Sequence, residues 1–414
     1  MIDDILCSVS GNAIRIALRE DGGVVELFVE PVSATTLIGS VHLGRVTKVL
    51  RGMGACFVDI GLDRAGFLPL PGARDAAIAG APPALHEGAT VLAQVLKDPQ
   101  GGKGAELSLT VNLPGRHLVY APRQPGVVFS RRIADAAERA RLAAILAEVA
   151  QPGEGFILRT AAVGATRDDL ARDAAWLRAA WSRLCEAASS ARPPACLWRD
   201  LTPLARILRD RGHGDLRRVL TDHEGLCRDA RDYCRGFLPQ LAEVPAVWRE
   251  PVPLFDRFGV EDEIDAALRP RAGLPSGGFL MIEPSHALTA IDVNTGRHVG
   301  DSAPDQTILV TNLEAAREVA RQVRLRNLSG LIVVDFVHMQ TADQQARVRA
   351  AVDEAFAADP VFVRIGGFTA LGLFEIARRR SRPPLREILM RPCDACDGEG
   401  WNPSDVPAPR ETLS

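Results

Sequence analysis

At 414 residues the chain exceeds the roughly 100 to 200 residues of one domain, so two to four domains are expected and a single small module is excluded. Hydrophobic residues at 47% and charged residues at 24% are ordinary for a globular protein, which excludes a fibrous or wholly disordered chain. The 49 basic residues nearly cancel the 52 acidic ones, leaving a formal charge of -3, so a polycation that grips nucleic acid by bulk charge is excluded and any such contact must be local.

The first residues, Met1-Ile-Asp-Asp-Ile-Leu6, show no basic stretch ahead of an apolar core, so no export signal is expected. No window approaches 18 consecutive apolar residues, which argues against a membrane span. Cys7, Cys56, Cys185, Cys196, Cys227 and Cys234 are scattered and read as reduced thiols, in keeping with a cytoplasmic location. The segments Ala13-Ile-Arg-Ile-Ala-Leu18 and Val24-Val-Glu-Leu-Phe-Val29 predict two strands around a turn at Asp21-Gly-Gly23. From about 36 to 113, short glycine-punctuated strands predict a small β-barrel, with Pro71 to Pro83 as a loop within it. The alanine-rich stretches 136–150 and 166–192 have helical spacing and flank the apolar run at 155–160, which reads as an α/β segment.

The last third carries the chemistry. Ala287-Leu-Thr-Ala-Ile-Asp292 and Leu331-Ile-Val-Val-Asp-Phe336 are apolar runs with an acid near the end, and the helical stretch between them predicts a parallel strand–helix–strand unit. Thr311-Asn-Leu-Glu314 reads as a capping box opening that helix, and Ser329-Gly330 as its close. Two strand-end carboxylates side by side, with Asn294 two residues on, can share one Mg²⁺ for phosphodiester chemistry; the alternative is that both acids cap helices. Phe57 and Phe67 in adjacent barrel strands, with Lys103 in Gly101-Gly-Lys-Gly104, suit base stacking and backbone tracking, unless both rings are core. Lysine occurs only at 48, 97 and 103, so most positive charge sits on arginine, which is suited to bidentate phosphate contacts. Cys393-Asp-Ala-Cys396 offers half of a tetrahedral zinc site, which two chains could complete; a redox dithiol and an inert turn are the alternatives. The last dozen residues read as a loose tail.

Ala290-Ile-Asp-Val-Asn-Thr-Gly-Arg297, Thr311-Asn-Leu-Glu-Ala-Ala316, Arg324 to Phe336 and Gly367-Phe-Thr-Ala-Leu-Gly-Leu373 resemble blocks of the ribonuclease E/G family, as do Gly66 to Leu70, Ser130 to Ile133 and Leu158 to Ala161. The resemblance runs in order through nearly the whole chain and is closer to the short, ribonuclease G type. It implies an α/β multidomain fold: an RNase H-like domain over 1–35 and 205–266, an inserted S1 (OB-type) barrel at 36–113, a 5′-sensor region at 114–204, a DNase I-like catalytic domain at 267–388, a zinc-link at 389–402 and a flexible tail at 403–414. It also implies a cytoplasmic Mg²⁺-dependent endoribonuclease that cuts single-stranded RNA and favours a 5′-monophosphate. In that reading Asp292 and Asp335 hold Mg²⁺, Asn294 orients the attack, and Phe57, Phe67 and Lys103 bind RNA. Gly115, Val119, Arg159 and Thr160 sense the 5′-phosphate, and Cys393 and Cys396 share Zn²⁺ across a homodimer. The chain departs from the family at His338, where an acid is usual, and an RNA-binding paralogue with weak or lost cleavage is the alternative that this substitution raises. The small domain of longer family members does not follow the zinc-link, which puts tetramer formation in doubt, and no arginine-rich tail follows either, so a degradosome scaffold is not expected.

Overall fold

The computed structural model describes residues 1–32, 37–70, 85–99, 103–296, 304–391, 393 and 394. The expected loop at 71–83, Gly101 and Gly102, Arg297, Cys396 and the tail at 403–414 lie outside the described residues. The chain divides into two compact units, one of Ile2–Ile16 and Glu30–Pro251, the other of Met1, Ala17–Val29 and Val252–Ser414.

The chain opens with β1 (Asp4–Ser10), β2 (Ala13–Glu20) and β3 (Gly23–Pro31), and the expected turn between the last two is made by Asp21 at φ 50° and Gly22 at φ 84°. Five strands then close a barrel: β4 (Val41–Leu50), β5 (Ala55–Asp59), β6 (Gly66–Pro69), β7 (Thr90–Lys97) and β8 (Glu106–Ser108) run in the order β4-β5-β6-β8-β7, and β7 returns to β4. Alternation puts Val46, Cys56, Val58, Leu68, Val91, Ala93, Val95 and Leu107 inside. Gly44 lies so close to the next strand that a Cβ there would sit 2.4 Å from the Val58 side chain, so the closure requires glycine.

A second sheet follows, built from β9 (Leu113–Pro114), β10 (Leu118–Tyr120), β11 (Gly126–Phe129) and β12 (Gly155–Leu158). Two helices in its neighbourhood, α1 (Ala136–Val149) and α2 (Arg167–Ser190), bear out the alanine-rich spacing. Thr166 opens α2 with a capping box to Asp169. Leu170, Ala174, Leu177, Ala180 and Leu184 join Leu118, Phe156 and Leu158 in one core. Beyond β13 (Ala195–Trp198) and α3 (Pro203–Arg211), β14 (Arg218–Thr221) pairs in parallel with β1, and β15 (Pro245–Val247) in parallel with β14 after α4 (Glu224–Phe237).

The other unit contains α5 (Leu254–Arg257), α6 (Val260–Leu268) and a six-stranded sheet of β16 (Arg271–Gly273), β17 (Phe279–Pro284), β18 (Leu288–Asn294), β19 (Gly330–Asp335), β20 (Val363–Phe368) and β21 (Phe374–Arg378). Its order is β16-β17-β18-β19-β21-β20, and only β18 and β19 pair in parallel. Helix α7 (Pro304–Leu325) makes the crossover between them and α8 (Ala342–Ala357) leads on to β20, as the strand–helix–strand reading anticipated. Ala315, Ala316, Val319, Ala320 and Val323 bury one stripe of α7 with Ile291, Ile332 and Val334 of the sheet.

Two local expectations need correction. Helix α7 does not open at Thr311; it begins at Pro304, and Thr311 and Asn312 are fully buried within it. It ends at Leu325 rather than at Ser329-Gly330, and the chain reverses at Asn327, whose φ of 50° is held by Nδ2 donating to Arg382 O at 2.7 Å. Beneath that turn Arg378 donates to Asp359 at 2.7 Å and to Asn327 Oδ1 at 2.9 Å, a buried ion pair with its remaining donors engaged. The last described helix is α9 (Leu385–Leu389).

Candidate active site and RNA-binding surfaces

Asp292 and Asp335 are direct register partners across the parallel pair, at the carboxyl ends of β18 and β19. Adjacent strands run about 4.8 Å apart, and side chains at paired positions emerge on the same face. Both aspartates are exposed, while Ile291, Val293 and Val334 beside them point into the core. Asn294, also on β18 and two residues on, donates from Nδ2 to Asp292 Oδ2 at 2.7 Å. The three residues singled out by the sequence are therefore brought together. The helix-capping alternative fails, because α8 is capped by Thr341, which accepts from the Gln344 N–H, and both acids sit within strands.

What holds this edge in place was not legible as a motif. Asn312 is fully buried and clamps the exit of β19 from both sides, donating from Nδ2 to Val337 O at 2.8 Å and accepting from Val337 N–H at 3.1 Å. Glu314 accepts from Ser276 N–H at 2.9 Å, which ties α7 to the turn before β17. Gly278 and Gly296 lie close to backbone at the same edge: a Cβ on Gly278 would sit 2.6 Å from Asn294 O, and one on Gly296 2.4 Å from Gly277 O. The sequence signal for Asn312 was its place on the α7 stripe that includes Ala315, Ala316 and Val319. A polar residue on an apolar face needs a partner, and here the partner is the strand exit. His338 follows on that exit and is exposed, between buried Phe336 and Met339. Among the described residues no three His, Cys, Asp or Glu side chains converge as a metal cage.

On the barrel, Phe57 and Phe67 face each other across β5 and β6 with ring centroids 6.1 Å apart in an edge-to-face arrangement. Both are half-buried and alternate with the core residues Cys56, Val58 and Leu68, so the core alternative does not hold. The same row continues across the outer face: Lys48 opposite Phe57, Glu106 opposite Phe67, and Lys97 opposite Glu106, which it pairs at 2.7 Å. Lys103 is exposed just ahead of β8.

The remaining four residues gather at one corner of the second sheet. Arg159 donates from Nη1 to Gly115 O at 2.7 Å and from Nη2 to Asp210 at 2.6 Å, and stays partly exposed. Thr160 bonds Ser130 Oγ at 3.1 Å, and Val119 pairs with Ile157 two residues before Arg159. Burial works against the charge on Asp210, but Arg209 and Arg159 hold its carboxyl below the usual range. Sequence reading missed Asp173, whose carboxylate accepts the N–H groups of Arg116, His117 and Leu118 at 3.1, 2.7 and 2.8 Å. Burial pushes the Asp173 carboxyl up and these three donors pull against it. A Cβ on Gly115 would lie 2.3 Å from Asp173 Oδ1, so glycine is required there. The signal was an acid on the apolar stripe of α2, between Leu170 and Leu177. Of the cysteine pair, Cys393 is exposed.

These features define a class: a mixed α/β protein with a closed five-stranded barrel and paired carboxylates at the edge of a parallel strand pair. Residues 112–381 match the model of the Ribonuclease E/G family. Ribonuclease G of Escherichia coli K12 is 36% identical over 97% of this chain and 84% of its own length, and Ribonuclease G of Haemophilus influenzae Rd is 36% identical over 96% and 83%. Ribonuclease E of Nostoc sp. PCC 7120 is 38% identical over 88% of this chain and 54% of its own. The chain belongs to the ribonuclease E/G family.

The Asn312 clamp gives a direct expectation. Asn312→Ala should lower stability by about 1–3 kcal/mol, because it strands the buried Val337 N–H and C=O. Amide exchange at Val337 should quicken while that in β1 does not, as read by hydrogen–deuterium exchange. Unchanged protection at Val337 would show that the clamp is not needed.

Proposed function

We propose that this chain is a Mg²⁺-dependent endoribonuclease acting on single-stranded RNA in RNA processing or decay, with preference for a 5′-monophosphate. The observation that carries the reading is the side-by-side placement of Asp292 and Asp335, with Asn294 held on Asp292. The donor set suits the ion: Mg²⁺ is commonly held by one or two carboxylates, with waters and substrate phosphate completing its shell. Asp292 and Asp335 would hold it, and when bound it would supply positive charge to the scissile phosphodiester. Asn294 restrains the rotation of the Asp292 carboxylate by donating to Oδ2, and Oδ1 would then be the oxygen offered to the ion. Water attacks the phosphodiester and leaves 5′-phosphate and 3′-hydroxyl ends. His338, exposed on the strand exit beyond Asp335, stands where the family usually has an acid.

In this reading the closed barrel is the S1 domain, where Phe57 and Phe67 give bases two rings to stack on and Lys103 tracks the backbone, with Lys48 a further cation opposite Phe57. Gly115, Val119, Arg159 and Thr160 form the 5′-sensor, where a guanidinium fixed by Asp210 and Gly115 O meets a terminal phosphate with little ordering left to lose. The domains over 1–35 with 205–266 and over 267–388 are the RNase H-like and DNase I-like parts. The protein works in the cytoplasm as a homodimer whose chains share one Zn²⁺ through Cys393 and Cys396, since two thiolates per chain cannot close a tetrahedral site. No helix among the described residues is long and apolar enough to cross a membrane.

Asp292→Asn and Asp335→Asn should each lower cleavage of a labelled single-stranded RNA by orders of magnitude in Mg²⁺ with RNA affinity retained. Wild-type binding without any cleavage would instead favour the RNA-binding paralogue. Arg159→Ala should slow 5′-monophosphorylated RNA much more than 5′-hydroxyl RNA, and equal slowing would remove the sensor. Replacing Cys393 and Cys396 by serine should release both metal and dimer, read as zinc content and mass by light scattering. One zinc per monomer in the wild type would rule out the shared site.

A further inference from the structure

A cavity of about 370 Å³ opens in the sheet-bearing unit at the end of the strands opposite to the paired aspartates. Thr289 on its wall lies three residues before Asp292 on β18, which is about 10 Å along the strand. Four arginines line it, Arg269, Arg326, Arg380 and Arg386, against two carboxylates, Glu283 and Glu387. Three of the arginines are exposed, but Arg326 is only 7% exposed.

Arg326 is unusual among the buried arginines of this unit. Its Nε donates to Gln322 Oε1 at 2.6 Å and its Nη1 to Arg269 O at 2.7 Å, both neutral acceptors, and its buried Nη2 has no partner among the described residues. By contrast Arg378 and Arg324 are each paired with carboxylates. Burial pushes the Arg326 guanidinium down to about 10, with Glu318 opposing the shift, so it stays charged at neutral pH. Arg326 is thus a buried cation on the wall of a cavity with excess arginine, with an unused donor and no direct carboxylate partner among the described residues, an arrangement that favours an added anion.

We propose that this cavity binds a phosphate group, with Arg326 as its buried anchor and Arg380 and Arg386 closing on it from the rim. Guanidinium forks match the tetrahedral array of phosphate oxygens, and the cavity has room for a mononucleotide. The phosphate comes either from an RNA backbone or from a small phosphorylated molecule such as a nucleotide. Neither the paired aspartates nor Arg159 belongs to the cavity lining, and its test does not depend on cleavage.

The test is equilibrium dialysis of inorganic phosphate and AMP against the full chain without divalent cation. An Arg159→Ala background keeps the other arginine site from contributing. Saturable binding is expected, weakened about tenfold or more by Arg380→Gln with Arg386→Gln, rim changes that leave the core intact. Arg326→Gln should abolish it, with circular dichroism to show that the fold survives. Absence of saturable binding, or an unchanged constant in the rim double variant, overturns the site. Competition by 5′-hydroxyl single-stranded RNA, together with lower RNA affinity in the double variant, assigns the phosphate to the RNA backbone. Phosphate binding that such RNA does not displace assigns it to a small molecule.

Discussion

Everything at the candidate active site depends on the register of one parallel strand pair. Because side chains alternate along a strand, a slip of one residue between β18 and β19 would set Asp292 opposite a core valine and turn one of the two aspartates inward. That register is not set by a tight turn, since parallel strands need a long crossover. It is set by the fit of the small-residue stripe of α7 over Ile291, Ile332 and Val334, with polar groups of the same helix bonded to the neighbouring loops. Asn312 recognises Val337 through both of its amide functions, and Glu314 recognises Ser276. Apolar packing opposes a slip, which would turn core side chains outward, and these directional bonds fix α7 against the exit of β19 and the turn before β17.

The same device recurs in the other unit. Asp173, at a core position of α2, gathers three successive N–H groups of the segment that leaves β9, and so fixes the carbonyl of Gly115 where the Arg159 guanidinium can reach it. Asp210 then holds the other end of the guanidinium. In both units a buried side chain on a helix shapes an irregular stretch of backbone, and the exposed residues of interest ride on that stretch. Substitutions at Asn312 or Asp173 therefore act on surfaces that neither residue reaches itself.

The barrel solves a different problem. Its face is regular, so alternation alone exposes Phe57 and Phe67 while Cys56, Val58 and Leu68 fill the interior. Two half-buried rings in contact across neighbouring strands lose little conformational entropy when something flat stacks upon them. Lys48 at one end of the row and the Lys97–Glu106 pair at the other limit the apolar patch to the two rings.

The elements that rest on local pattern were legible in the sequence: the hairpin at 13–29, the barrel strands, the helices at 136–149 and 167–190, and the strand–helix–strand unit bearing the two aspartates. Period-two and period-3.6 alternation and glycine punctuation are local signals of which face a residue presents. The start of α7 misled because Thr311-Asn-Leu-Glu314 has the spacing of a cap, while its polar groups serve long-range bonds instead. Asn312, Glu314, Asp173 and Asp210 could be judged only once their partners, 25 to 57 residues away in the chain, were in place. The same holds for Arg326, one arginine among many in the sequence. Its lack of a direct carboxylate partner shows only where the turn after α7, the end of α6 and the start of α9 come together, because burial and hydrogen-bond satisfaction are properties of the assembled surroundings and not of the residue.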